Sequence, residues 1–112
     1  MSVITAPETP IETAEQIAGA VAGGNVVDVW RGWVNWGPYN NWVNYPITWN
    51  VINANSTVLV AASEIDGNNV RFLGAAPITV ANIVPAAGLV TVKINVAWGS
   101  GLRIRTDIVV LN

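Results

Sequence analysis

The sequence predicts an all-β fold, an antiparallel β-sandwich of six or seven strands preceded by one short N-terminal helix. Three observations carry this expectation. From Asn25 onward apolar residues recur at about every second position, the period of a half-buried strand. Turn signals recur along the chain, clearest at "DGNN" (66–69), "PAAG" (85–88) and "GSG" (99–101), and six or seven strands between turns about every 8–12 residues are the pattern of a sandwich. Before Asn25 the period is helical. The 112 residues make one domain, in which residues 1–24 form an arm and helix for packing or oligomerisation and residues 25–112 form the sandwich.

Residues 1–9 read as an extended arm. "TPIE" then supplies a helix start, with Thr9 as N-cap, Pro10 in the first turn and Glu12 reaching back. Ile11, Ala14, Ile17, Ala18 and Val21 share a helical stripe that Gly23-Gly24 ends. So short a helix is marginal alone in water and must pack on the domain or on copies of itself.

"NVVDVWRGWVNW" (25–36) is the first strand, with Gly32 as a bulge, and "NWGPYNNWVNY" (35–45) is a turn-rich loop shaped by Gly37 and Pro38. "YPITWNV" alternates, with Tyr45, Ile47, Trp49 and Val51 on one face. "STVLVAASEI" is apolar on both sides, as in a central strand, and "VRFLG" and "PITVANIV" follow the "DGNN" turn. In "LVTVKINVAW", Val90, Val92, Ile94, Val96 and Trp98 face one way while Thr91, Lys93 and Asn95 face the other. The last strand, "LRIRTDIVVL", keeps Leu102, Ile104, Ile108 and Val110 in phase.

Composition restricts function. Charged residues are 11% of the chain, against about 25% in ordinary soluble proteins. So little charge covers a monomer poorly, which points to a homo-oligomer. A net charge of −2 with five basic residues argues against nucleic acid as a partner. No apolar run has the length of a transmembrane helix. The start "MSVITAPETP" shows no signal peptide, so the compartment stays open between cytoplasm and release by another route.

The chain has no histidine and no cysteine, which removes nucleophilic triads and the usual zinc sites. "EIDGNN" offers Glu64, Asp66, Asn68 and Asn69 as oxygen ligands but lacks the EF-hand spacing, and reads better as a solvated turn. "GNNVRFLG" and "WGSGL" are not phosphate loops, since neither has a lysine or a helix start after it. The expectation is a protein that is not an enzyme and needs no cofactor or metal.

Binding is the better case. "RGWVNWGPYNNWVNYPITW" (31–49) holds four of the six tryptophans and both tyrosines among asparagines, with Arg31 as its one charge. Flat rings stack on the apolar face of a sugar while amides and guanidinium groups bond its hydroxyls. Trp36, Tyr39, Asn40, Asn41 and Trp42 therefore form the candidate ligand loop, with a subunit interface as the competing use. Trp49 and Trp98 lie in core phase and read mainly as structural. Arg71 is as well suited to a specific partner as to solvent. The function expected is a non-catalytic, multivalent carbohydrate-binding module. The alternatives are a self-assembling structural subunit of a filament, shell or tail, and a membrane-active protein whose helix and tryptophans enter the bilayer interface.

The order "VWRGWVNW", "GPYNN", "YPITW", "STVLVAASEID", "VRFLG", "ANIVPAAGLVTVKINVAW" and "LRIRTDIVVL" resembles the H-type lectin domain over residues 26–111. That family is a six-stranded antiparallel sandwich, and many members bind galactose or N-acetylgalactosamine. The resemblance implies Arg71 and Trp98 as sugar-facing residues and Gly37, Asn40 and Asn41 as the polar loop. "NWGPYNNWVNYPITWNV" is also similar to a region of the fungal immunomodulatory proteins, lectin-like sandwiches with a dimerising N-terminal helix.

Overall fold

A computed structural model describes residues 3–18 and 25–112. The strands are β1 (Ile4–Thr5), β2 (Thr9–Pro10), β3 (Thr13–Ala18), β4 (Val29–Tyr39), β5 (Asn41–Thr48), β6 (Thr57–Ile65), β7 (Arg71–Phe72), β8 (Ile78–Ala86), β9 (Leu89–Val96) and β10 (Leu102–Leu111). They form two sheets. Sheet A has the order β1-β5-β9-β8, with β2 also on β5, and sheet B has the order β3-β4-β10-β6-β7. All pairings are antiparallel except those of β1 and β2 with β5, which are parallel.

The inward side chains of the two sheets meet as the alternation predicts. Val43, Tyr45 and Ile47 of β5 and Val90, Val92, Ile94 and Val96 of β9 face Val34 and Trp36 of β4 and Ile104, Ile108 and Val110 of β10, all of them buried. Apolar burial of this kind is the main stabilising term of the fold. Trp49 joins this core just past the end of β5, where its N–H donates to the Gly88 carbonyl. The "DGNN" and "PAAG" turns close hairpins as expected, with Asn69 (φ 62°) and Gly88 (φ 70°) in the left-handed region.

The expected N-terminal helix is not found among the described residues. Residues Thr9–Pro10 and Thr13–Ala18 are strands, while Val21 and the Gly23-Gly24 stop lie outside the described residues. The physical reason is competition for backbone hydrogen bonds. An isolated short helix is marginal, whereas β4 and β5 offer rows of unpaired amides and carbonyls that β3 and β2 complete. The helical stripe rested largely on alanine, which commits a segment to neither period. The strands β1, β2 and β3 thus tie this segment to the sheets, and pairing with β5 is interrupted between β1 and β2 beside Pro46, which has no N–H to offer.

Two further expectations change. Gly32 is not a bulge, because β4 and β10 stay in register from Ile104 to Leu111. It is a point of close approach instead, where a Cβ would strike the Thr13 carbonyl and the Ile11 side chain. The expected loop at 35–45 is mostly strand. β4 runs to Tyr39 and β5 starts at Asn41, so Asn40 alone turns the chain from sheet B to sheet A, with Asn41 at φ 61°. The register shift in β4 falls around Gly37-Pro38, opposite the stretch between Leu102 and Ile104.

Candidate functional site

This corner divides the expected ligand loop. Trp36 precedes it in inward phase on β4 and is 4% exposed. Its ring meets Tyr45 edge-on at 4.7 Å, and its Nε1–H donates to Thr106 Oγ1 at 3.0 Å. No ligand can stack on Trp36 in this fold. Tyr39 is half-buried, edge-on to Tyr45 at 5.8 Å. Burial, and then the nearby Tyr39, push the Tyr45 hydroxyl well above its ordinary pKa.

Trp98 departs from its expected core place. β9 ends at Val96, the chain turns away, and Trp98 is left 43% exposed. Asn40 Nδ2 donates to its carbonyl at 3.1 Å, joining positions 58 residues apart. Asn40, Asn41 and Trp98 therefore gather at one end of sheet A.

Trp42 adjoins this end. Alternation along β5 turns Val43 inward and Trp42 outward, and the register sets Trp42 opposite Asn95, with Thr79 beyond it on β8. One step along the same face, Asn44 lies opposite Lys93. The half-buried indole thus lies on an open sheet surface among two amides, a hydroxyl and an ammonium group. A shallow groove of about 300 Å³ runs beside it, lined by Val3, Trp42, Ala81 and Lys93. Lys93 has no ion pair among the described residues. Asn44, Lys93 and Asn95 were not among the expected site residues, although the strict alternation of "LVTVKINVAW" had already placed Lys93 and Asn95 on the outer face.

Arg71 lies elsewhere. It belongs to β7 at the edge of sheet B and pairs with Asp107 Oδ2 at 3.2 Å. Arg105 holds the other oxygen of Asp107 at 2.7 Å and lies over the Trp33 ring, 4.1 Å from its centroid. Arg71 is thus paired on the outer face of sheet B, whereas Trp98 lies beyond the end of β9 of sheet A. In the "DGNN" turn, Asp66 Oδ1 accepts from the amides of Asn68 and Val70. Arg103 bonds the Asp66 carbonyl and Asn69 Oδ1. A guanidinium thus occupies two of the oxygens that a cation would need there.

No family model, curated protein or solved structure matches this chain. The outer face of sheet A around Trp42, continued at its end by Asn40, Asn41 and Trp98, is the surface that best meets the chemistry of a binding site.

Proposed function

We propose that the protein is a non-catalytic carbohydrate-binding module whose sugar lies on Trp42. The observation that carries this reading is the cross-strand row Trp42–Asn95–Thr79 beside Asn44 and Lys93 on one open face. Stacking on the indole removes the apolar side of a pyranose from water. The amides both donate and accept, as sugar hydroxyls require, and Lys93 adds a charge-assisted donor. Trp98, with Asn40 and Asn41, supplies a second ring and further amides for a longer chain. Galactose or N-acetylgalactosamine is the first sugar to try, on the resemblance of residues 26–111 to H-type lectins. A single shallow site of this kind binds weakly, so the proposal includes a homo-oligomer that presents several at once.

A glycan array read beside tryptophan fluorescence tests the reading. Binding should quench emission, and Asn95→Ala should remove both signals while the far-ultraviolet circular dichroism stays unchanged.

One observation favours a second reading, a self-assembling structural subunit. β8 is a nine-residue edge strand without a charged side chain, and Val84 on it is exposed. Such an edge invites a neighbouring strand, although its register shift at Val80/Asn82 and Pro85 both interrupt pairing. Light scattering separates the two, because edge pairing gives open growth with concentration and a lectin gives a closed oligomer. Membrane activity has less support, since its amphipathic helix is replaced by β3 and no helix among the described residues is long and apolar enough to cross a bilayer.

A further inference from the structure

The outer face of sheet B has a different character. Four of the five cationic side chains of the protein, Arg31, Arg71, Arg103 and Arg105, belong to this sheet. Along β10 the outward positions run Leu111, Val109, Asp107, Arg105, Arg103, so one half of the face is apolar and the other basic. The register extends each half sideways. Arg31, Val109 and Leu59 form one row across β4, β10 and β6, and Trp33, Asp107 and Ala61 form the next. A groove of about 460 Å³ lies over these rows, lined by Ile17, Val29, Leu59, Ala61 and Val109 with Arg31 at its side. That volume is within the range of roughly 300–1,000 Å³ usual for small-molecule sites. Leu59 is 54% exposed there, an unusual place for a leucine near the middle of a sheet.

The charges decide what the groove accepts. Asp107, its one acidic lining residue, is held by both Arg105 and Arg71. Arg31 is exposed and makes no ion pair or side-chain hydrogen bond among the described residues. Its cross-strand neighbour on the same face is Glu15, while Asp28, beside Val29, accepts from Trp30 and Asn112 instead. The face therefore carries net positive charge beside an apolar trough. A second copy of the same face would bring like charges together, and a neutral sugar would leave the trough unfilled. An amphiphilic anion satisfies both halves.

We propose that this groove binds the anion of a long-chain carboxylic acid, its carboxylate on Arg31 and its alkyl chain over Leu59, Val109, Val29 and Ile17. The site is independent of Trp42, on the opposite sheet, and stands or falls separately from sugar binding.

Titration calorimetry of the whole protein with octanoate, decanoate, dodecanoate and dodecanol, each below its micellar concentration, tests this. Affinity should rise about two- to fourfold per added methylene, and dodecanoate should bind more tightly than dodecanol. Arg31→Gln should weaken dodecanoate about tenfold and leave dodecanol unchanged. Leu59→Asp should abolish binding of both with no change in circular dichroism. Equal affinity for octanoate and dodecanoate, or for dodecanoate and dodecanol, would overturn the inference. So would the absence of binding by any of them, as when the groove is filled by the chain itself or by a neighbouring subunit.

Discussion

The indole nitrogen of Trp36 donates to the hydroxyl of Thr106 at 3.0 Å, between adjacent strands of sheet B and away from solvent. Thr106 is the one polar residue in the inward phase of β10, where Ile104, Ile108 and Val110 are apolar. Its place there follows from Trp36, whose N–H would otherwise be buried without a partner. Thr106→Val should therefore cost about 1–3 kcal/mol, although it adds apolar surface. Urea denaturation measures this, and a variant as stable as the parent would contradict it. In a double-mutant cycle with Trp36→Phe the two losses should not add.

Tyr45 presents the opposite case. Its hydroxyl is buried and has no protein partner among the described residues, and burial raises its pKa. Tyr45→Phe should thus match or exceed the parent's stability at neutral pH, by up to about 1 kcal/mol. The folded-state pKa lies above the unfolded value of about 10. The folded protein therefore keeps this proton longer, and stability is whole below about pH 10 and falls as pH rises beyond it. Urea midpoints measured from pH 8 to 11 should decline in the parent more steeply than in Tyr45→Phe. Parallel declines would contradict this account.

The packing of β3 on β4 depends on the missing side chain at Gly32. Gly32→Ala would drive a methyl group against the Thr13 carbonyl and to 2.7 Å from Ile11 Cγ1. The backbone on one side cannot give way without releasing β3. The expected cost is about 1–3 kcal/mol, with amide exchange accelerated at residues 13–18 ahead of the rest of sheet B. Protection unchanged at those amides would show that β3 does not lie there.

These relationships mark where the sequence was informative. The core strands were legible because burial on one face writes a period of two, as in Val90, Val92, Ile94 and Val96 against Thr91, Lys93 and Asn95. The segment at 9–18 was misread because alanine satisfies a helical stripe and an edge strand equally, and only the free edges of β4 and β5 decide between them. The Trp-rich segment was misread as a loop because Gly37-Pro38 and the adjacent asparagines look like turn chemistry. In the fold, the first pair marks a register shift and only Asn40 turns the corner. That error also joined Trp36 and Trp42 on one surface, whereas the crossing between sheets puts one in the core and the other outside. The partners of Trp42 come from β9 and β8, and nothing local in the sequence announces that pairing.

The central claim is that Trp42, among Asn44, Lys93 and Asn95, is the platform on which a sugar stacks. Its most direct test is the affinity of the parent and of Trp42→Ala for the glycan that scores highest on an array, measured by titration calorimetry beside Trp98→Ala. The account predicts that Trp42→Ala abolishes detectable binding, and that Trp98→Ala weakens longer glycans more than monosaccharides, with the fold intact in both. Undiminished binding by Trp42→Ala, or no glycan bound by the parent at any density, would contradict it.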